Sequence, residues 1–272
     1  MNILFVYLMQ SCNLNCYYCT FKQWLRPLDF KEPFNHRAHD NAYPVGWAED
    51  DVANGVRSFN AIRNEPFLEW VDAYCPPEKT FIVFTGGEPS LYKEIVTLIP
   101  ALCDRGYYGF IQTNGLLYIP KTDNFKLITC WHHRVKKIPP YYDSIQIIKN
   151  PVDNWEKKVQ YCEANKIPYK TVPFNYCWTG KSSMPEENTE WQVDFDGIAT
   201  IFSMGHVAGC PSSYPKLGSH IFNMTPPVWT NCFNSCSRCG AVGGVQLFFD
   251  HYPNIKAMVE NSKGGIYGSR EN

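Results

Sequence analysis

The chain has 272 residues, of which 44% are hydrophobic and 19% charged, and its formal net charge is −1. This length suits one large α/β domain, or one domain with a small appendage. A net charge so close to zero gives no general electrostatic case for binding nucleic acid or a membrane surface. We find no secretory signal after Met1 and no apolar run of the roughly 20 residues that a membrane span needs. Twelve cysteines therefore predict thiolate ligands in a reducing cytoplasm rather than disulfides.

The first predicted element is a buried β-strand over Ile3–Met9, a short apolar run of β-prone side chains. Polar residues then turn the chain into a loop that contains Cys12, Cys16 and Cys19, four and then three residues apart. Thiolates at such short spacings allow one loop to wrap one iron–sulfur cluster. A loop at the carboxyl end of a strand is also where α/β folds carry their chemistry.

Two other interpretations of this cysteine triplet stay open. Its offsets also mark one face of a helix, where free cysteines pack as small hydrophobic residues. A zinc site is the second alternative, although zinc loops usually bring cysteines in separated pairs. Three ligands with no fourth nearby favour a cubane cluster in which one iron is left open to chelate a small molecule.

A long segment without clean periodicity follows the cysteine loop. Residues 21–50 are rich in proline, histidine, asparagine and aromatic side chains, and we interpret them as an insertion over the top of the domain. A mostly helical pattern then runs over residues 50–74; Pro66 is expected to break it, and Cys75-Pro-Pro77 ends it.

A second strand is predicted over Thr80–Thr85, and Gly86, Gly87 and Glu88 follow it directly. Glycines at this point let the backbone approach a ligand closely, and the carboxylate of Glu88 can accept a hydrogen bond from a ligand ammonium. Pro89 suits the first turn of a helix over residues 90–104. A plain strand-to-helix turn would explain the glycines and the proline but not the glutamate.

Four further strands are predicted, and a helix over residues 153–165 separates the last two. The strands cover residues 107–112, 125–131, 144–148 and 167–174. Strands that alternate with helices at this spacing predict βαβ units and a parallel sheet. Thr113-Asn114-Gly115, at the end of the third strand, fits either ordinary turn chemistry or a ligand contact.

The motif Cys12-x3-Cys16-x2-Cys19, with Tyr18 before the last cysteine, resembles the signature of the radical S-adenosylmethionine (radical SAM) superfamily. The stretch Thr85-Gly-Gly-Glu-Pro89 resembles the second motif of that family. The resemblance implies a partial (βα)6 TIM-like barrel whose three cysteines hold a [4Fe–4S] cluster. It also implies that Tyr18 packs near the adenine of SAM, that Gly86, Gly87 and Glu88 bind its amino group, and that Asn114 lies near its ribose.

The C-terminal third resembles the auxiliary-cluster extensions called twitch and SPASM. A β-hairpin arm is expected over residues 196–204. The four cysteines that resemble the ligand set of a second [4Fe–4S] cluster are Cys210, Cys232, Cys236 and Cys239. Four thiolates also satisfy tetrahedral zinc, so a structural zinc site stays open. We expect residues 1–194 to form the barrel domain and residues 195–272 the extension.

The resemblance implies an enzyme that reductively cleaves SAM to a 5′-deoxyadenosyl radical, which abstracts hydrogen from a substrate. The substrate is expected to be a peptide or a small molecule, with nucleotide or modified-base biosynthesis as an alternative. The electron donor is expected to be a flavodoxin or a ferredoxin, without a membrane partner. The alternative of a different class is a non-catalytic zinc or iron–sulfur protein, which leaves the Gly-Gly-Glu motif unexplained.

Overall fold

The computed structural model describes residues 1–9, 12–14, 62–132, 135, 138, 142–149, 153–173, 197–201, 205, 207–209 and 219–230. The predicted insertion at 21–50 lies outside the described residues. So do Cys16, Tyr18 and Cys19, and the four cysteines of the C-terminal third, Cys210, Cys232, Cys236 and Cys239.

Eight strands and three α-helices lie in the described part of the chain. The strands are β1 (Asn2–Met9), β2 (Thr80–Gly86), β3 (Tyr108–Thr113), β4 (Phe125–Cys130), β5 (Ser144–Lys149), β6 (Tyr169–Pro173), β7 (Gly197–Ile201) and β8 (Val207–Ala208). The helices are α1 (Asn64–Tyr74), α2 (Ile95–Asp104) and α3 (Trp155–Ala164). Short 3₁₀ turns cover Pro77–Lys79, Pro89–Leu91 and Ile221–Asn223.

All eight strands join one sheet in the order β6-β5-β4-β3-β2-β1-β7-β8. Strands β1 to β6 pair in parallel with their sequence neighbours. The predicted α/β class, with six sequential parallel strands of a partial (βα)6 TIM-like barrel, is confirmed. Because the strands are parallel, their carboxyl ends meet at one edge of the sheet, which is where the cysteine loop and the Gly-Gly-Glu motif begin.

Alternation along the strands separates two faces of the sheet. One face packs against the helices: Leu4, Val6, Ile82 and Phe84 share a buried cluster with Trp70 of α1. The residues between them form the opposite face, which we call the inner face because the helices of a (βα) barrel lie outside it. In β1 and β2 this face is apolar until the strands approach their carboxyl ends, where it becomes polar.

Two predicted helix boundaries are wrong, each for a local reason. Pro66 does not break α1, because it lies in the first turn of a helix that begins at Asn64, where a proline removes no intrahelical bond. The predicted helix over residues 90–104 begins only at Ile95. Pro89–Leu91 forms a separate 3₁₀ turn, and Tyr92 leaves the helical conformation to bury its ring and donate its hydroxyl to Asn64 Oδ1 at 2.9 Å.

Within the described residues of the predicted hairpin over residues 196–204 the structure has β7, which pairs in antiparallel fashion with the two-residue β8 beyond that range. Unexpectedly, β7 also pairs in parallel with β1, from Asn2 opposite Gly197 to Val6 opposite Ile201. The hairpin arm thus belongs to the same sheet as the barrel strands. A domain boundary near residue 194 stays a prediction.

Three cysteines outside the predicted clusters serve as packing residues. Cys75, at the end of α1, and Cys162, in α3, are completely buried, and burial raises the pKa of the Cys75 thiol to about 12. Burial also raises the pKa of Cys103 and of Cys162. Thiols with raised pKa values are poor nucleophiles and poor metal ligands. None of the described helices is long and apolar enough to cross a membrane.

Candidate active site

Three adjacent strands end together and bring the predicted site residues to one place. The chain leaves β1 toward Cys12 and Asn13, leaves β2 through Gly86, Gly87 and Glu88, and leaves β3 through Asn114. The register between β1 and β2 shifts between Tyr7 and Met9, so that Met9 lies opposite Gly86. Gly86 has φ of 120°, a conformation that favours glycine, and it turns the chain out of β2 toward Glu88.

Glu88 lies at the centre of a dense set of hydrogen bonds. Its Oε1 accepts from Ser90 N at 3.0 Å, from Ser90 Oγ at 2.6 Å and from Thr113 Oγ1 at 2.5 Å. Its Oε2 accepts from Asn114 N at 2.7 Å. Because Ser90 follows β2 and Asn114 follows β3, this one carboxylate holds the ends of two neighbouring strands together.

Burial and hydrogen bonding shift the pKa of Glu88 in opposite directions. The residue is 1% exposed, and burial raises the pKa of its carboxyl, while the bonds from Ser90, Thr113 and Asn114 lower it by smaller amounts. A carboxylate offers about four acceptor positions, two on each oxygen. Oε1 is fully occupied by protein donors, whereas Oε2 accepts one bond from the described residues and retains an acceptor position. Any bond from a ligand ammonium to Glu88 is therefore expected at Oε2.

Asn114 extends this network to the cysteine loop. Its Nδ2 donates to Asn13 Oδ1 at 2.6 Å, while its Oδ1 accepts from Leu116 N at 3.0 Å. Gly115 has φ of 70°, as a tight turn after Asn114 requires. Asn114 thus forms an ordinary turn and also bonds to the cysteine loop, while its contact with a ligand stays a prediction. Asn13 lies between the first two cysteines of the motif. Because Asn114 bonds to both Glu88 and Asn13, it links Glu88 to the cysteine loop.

Cys12 is the one cysteine of the motif in the described part of the chain. It is half-buried, and Leu14 N donates to its Sγ at 3.4 Å. An N–H bond to sulfur stabilises a thiolate and is typical of iron–sulfur ligands. The chemistry of Cys12 thus fits a cluster ligand. Within the described residues no group of three His, Cys, Asp or Glu side chains is placed to hold a metal, and Cys16 and Cys19 lie outside that part.

A second polar group lies on the inner face, within the strands themselves. Thr85 Oγ1 donates to Gln112 Oε1 at 3.3 Å, and Gln112 Nε2 donates to Gln146 Oε1 at 2.7 Å. Cys130 Sγ donates to the same Gln146 Oε1 at 3.0 Å. We call these four residues the amide tier. The tier crosses from β2 to β5 directly beneath the loops that carry Glu88 and Asn114.

The structure therefore brings some predicted site residues together and adds others. Gly86, Gly87, Glu88, Asn114 and Cys12 converge at the carboxyl ends of β1 to β3. The residues that sequence reasoning missed are Asn13, Ser90, Thr113, Gln112 and Gln146. A signal was present for the two glutamines, because a long polar side chain within an apolar strand needs a partner when buried. No such signal marks Asn13 or Ser90.

The profile of the radical SAM superfamily matches residues 6–177, more than half of the chain. Two curated enzymes named 7-carboxy-7-deazaguanine synthase are similar over shorter stretches. That of Methanocaldococcus jannaschii is 29% identical over 108 residues, which cover 39% of this chain and 37% of the relative. The enzyme of Aquifex aeolicus is 35% identical over 71 residues, which cover 25% of this chain and 31% of the relative. The chain thus matches only about a third of the length of these relatives.

Solved structures show a looser likeness. Native anSMEcpe with bound AdoMet and the Cp18Cys peptide aligns with a TM-score of 0.46 at 11% identity, covering 96% of this chain and 99% of the other. Streptococcus suis SuiB bound to precursor peptide SuiA aligns with a TM-score of 0.42 at 14% identity, covering 90% of this chain and 66% of the other. QueE from Escherichia coli aligns with a TM-score of 0.37 at 14% identity, covering 62% of this chain and 84% of the other.

The family profile spans both motifs that meet in the structure. It includes the cysteine loop after β1 and the Gly-Gly-Glu motif after β2, and the bond from Asn114 to Asn13 connects the two. A parallel sheet with these motifs at its carboxyl edge is the framework that the sequence predicts for the family. The chain belongs to the radical SAM superfamily, whose members hold a [4Fe–4S] cluster and SAM.

Proposed function

We propose that this radical SAM enzyme acts on a small, planar, carboxylated heterocycle. The observation that supports radical chemistry is the network from Ser90 through Glu88 and Asn114 to Asn13, which joins the two family motifs at one sheet edge. The two curated relatives that make 7-carboxy-7-deazaguanine favour a heterocycle over a peptide. Among the alternatives that the sequence left open, we therefore prefer modified-base chemistry.

Each residue of the site has a separate task in this proposal. Cys12, Cys16 and Cys19 hold the cluster, and the backbone of Gly86 and Gly87 approaches the methionine end of SAM. Glu88 accepts from the SAM ammonium at its remaining Oε2 position. Tyr18 packs near the adenine, and Asn114 lies near the ribose. The cluster, when bound, supplies the electron that cleaves SAM, and the protein supplies orientation and exclusion of water.

A single anaerobic assay tests the proposed class of reaction. Protein reconstituted with iron and sulfide is incubated with SAM and dithionite, and 5′-deoxyadenosine is measured by chromatography. We expect its formation at a rate above that of dithionite and SAM without protein. A reconstituted protein with full iron content and no such product would remove the catalytic proposal and favour the non-catalytic iron–sulfur alternative.

The C-terminal cysteines are proposed to hold a second cluster. With Cys210, Cys232, Cys236 and Cys239 all ligating, every iron of that cluster has a protein ligand, so we expect electron transfer or structural support instead of substrate binding. The proposal rests on the resemblance of these cysteines to twitch and SPASM extensions. Electrons are proposed to come from a flavodoxin or a ferredoxin, and the cysteine content supports a proposed location in the cytoplasm.

Cys236→Ala is predicted to lower the iron content without stopping SAM cleavage. Reconstituted wild-type protein should hold about eight irons per chain, as two [4Fe–4S] clusters, and the variant about four. Cleavage should survive because the N-terminal cluster is intact, whereas turnover of substrate should be lost. Metal analysis of the native protein decides the matter. One zinc beside four irons would make the C-terminal site structural and end the electron-transfer proposal.

A further inference from the structure

The amide tier is set apart from the rest of the inner face by its polarity. Thr85, Cys130 and Gln146 are 4%, 6% and 8% exposed, and Gln112 is partly exposed. The flanking residues of β5, Ile145 and Ile147, face the other way and pack with Cys162 of α3. Gln146 therefore points away from the helices. Its position on the inner face follows from strand alternation.

The hydrogen bonds of Gln146 are unevenly distributed between its two amide atoms. Oε1 accepts from both Gln112 and Cys130, whereas Nε2 donates to no group among the described residues. Within the described residues, Thr80 Oγ1 is the one fully enclosed side-chain polar atom that lacks a partner. Gln146 Nε2 is therefore not sealed in the core, and it presents two N–H donors to accessible space. A nine-tenths-buried amide with both donors free is suited to a ligand acceptor.

The surroundings of Gln146 narrow the kind of ligand that fits. Lys170 of β6 is paired with Gln146 in the parallel register and lies on the same face of the sheet. The tier thus offers N–H donors on a face that also carries the positive charge of Lys170. This combination favours a ligand that carries carbonyl or carboxylate oxygens.

The position of the tier relates it to the SAM site. Thr85 precedes Gly86-Gly87, and Gln112 precedes Thr113-Asn114, so each strand carries a tier residue directly before a residue of the site. A ligand at Gln146 therefore lies beneath the loops that bind SAM in the proposed function.

We infer that the amide tier is the substrate-recognition surface, with Gln146 Nε2 donating to an oxygen of a carboxylated heterocycle. This inference rests on the proposed function and names the contact that gives it specificity. The pattern of internal bonds fixes the direction of Gln146, because Gln112 and Cys130 both donate to its oxygen and leave its nitrogen for the ligand. Gln112 and Cys130 are thus positioning residues, and Gln146 is a binding residue.

Gln146→Glu is the sharpest test of this inference. The variant keeps an acceptor for Gln112 and Cys130 but replaces both free donors with an oxygen. Affinity for 7-carboxy-7-deazaguanine, measured by calorimetry on reconstituted protein with SAM, is expected to fall by at least about tenfold. 7-Deazaguanine, which lacks the carboxylate, serves as the second probe. It is expected to bind more weakly than the carboxylated compound to the wild-type protein.

Controls separate failure of this inference from failure of the proposed function. Gln160→Leu, on the exposed face of α3, should bind the probe as the wild type does. Gln146→Leu should bind weakly as well, while formation of 5′-deoxyadenosine with dithionite should be unchanged in the Gln160→Leu control. Equal probe affinity in wild type and Gln146→Glu would overturn the role of Gln146. A wild-type protein that cleaves SAM but binds neither probe would overturn the substrate class and leave the radical chemistry standing.

Discussion

Replacing Cys12 with alanine is expected to abolish reductive cleavage of SAM and to prevent assembly of the N-terminal cluster. Three thiolates are proposed for this cluster, so loss of one leaves two irons without a protein ligand. The Sγ of Cys12 accepts from Leu14 N, and alanine can replace neither the ligand nor the acceptor. Iron analysis and measurement of 5′-deoxyadenosine after anaerobic reconstitution check both effects. Cys16→Ala should behave in the same way.

Cys103→Ala is the matched control for this variant. Cys103 is also half-buried, but it lies in α2 and burial raises its pKa. The control should retain its iron content and its rate of SAM cleavage. Formation of 5′-deoxyadenosine by Cys12→Ala at the wild-type rate would show that Cys12 is not a ligand of the catalytic cluster, and the interpretation of the whole motif would then be wrong.

The parallel part of the sheet could be predicted because its signals are local. Each of β1 to β6 is a short β-prone run, and the predicted ends of these strands agree with the structure to within about two residues. The pairing of β1 with β7 could not be predicted in this way. It places Asn2 opposite Gly197, which is far away in the sequence. A short β-prone run contains no information about which strand it will pair with.

The site was predictable where a motif marks it and not elsewhere. Gly86, Gly87 and Glu88 stand out because a plain strand-to-helix turn explains two glycines but does not require a carboxylate after them. Ser90 and Asn13 carry no such mark. The bond from Ser90 to Glu88 is local, between residues two apart, but the role of Asn13 depends on its bond to Asn114, which forms only when three strands end side by side. Hydrogen bonds between residues this far apart follow from the tertiary structure and not from local pattern.

The same bonds change the expected role of Glu88. From sequence alone, its carboxylate was expected to act on SAM. In the structure it also accepts two backbone N–H groups, those of Ser90 and Asn114, on different oxygens. Hydroxyl donors can rotate toward another acceptor, but backbone donors cannot. Glu88 is therefore expected to stabilise the protein in the absence of SAM as well as to bind SAM when it is present.

Glu88→Gln is expected to destabilise the apo protein and to weaken SAM binding together. Glutamine has one acceptor oxygen, so its NH₂ must face the backbone N–H of either Ser90 or Asn114. The unsatisfied buried donor costs about 1–3 kcal/mol, and each kcal/mol lowers the unfolding temperature by roughly 2–4 °C. Loss of a charge-assisted bond to the ammonium should weaken SAM binding by roughly ten- to a hundredfold. Calorimetric unfolding of the apo protein and SAM titration of the reconstituted protein measure the two effects separately.

Glu65→Gln, at an exposed carboxylate in the first turn of α1, should change neither the unfolding temperature nor the SAM affinity. An unchanged unfolding temperature would exclude the structural role, and unchanged SAM affinity at full iron content would remove Glu88 from the SAM site.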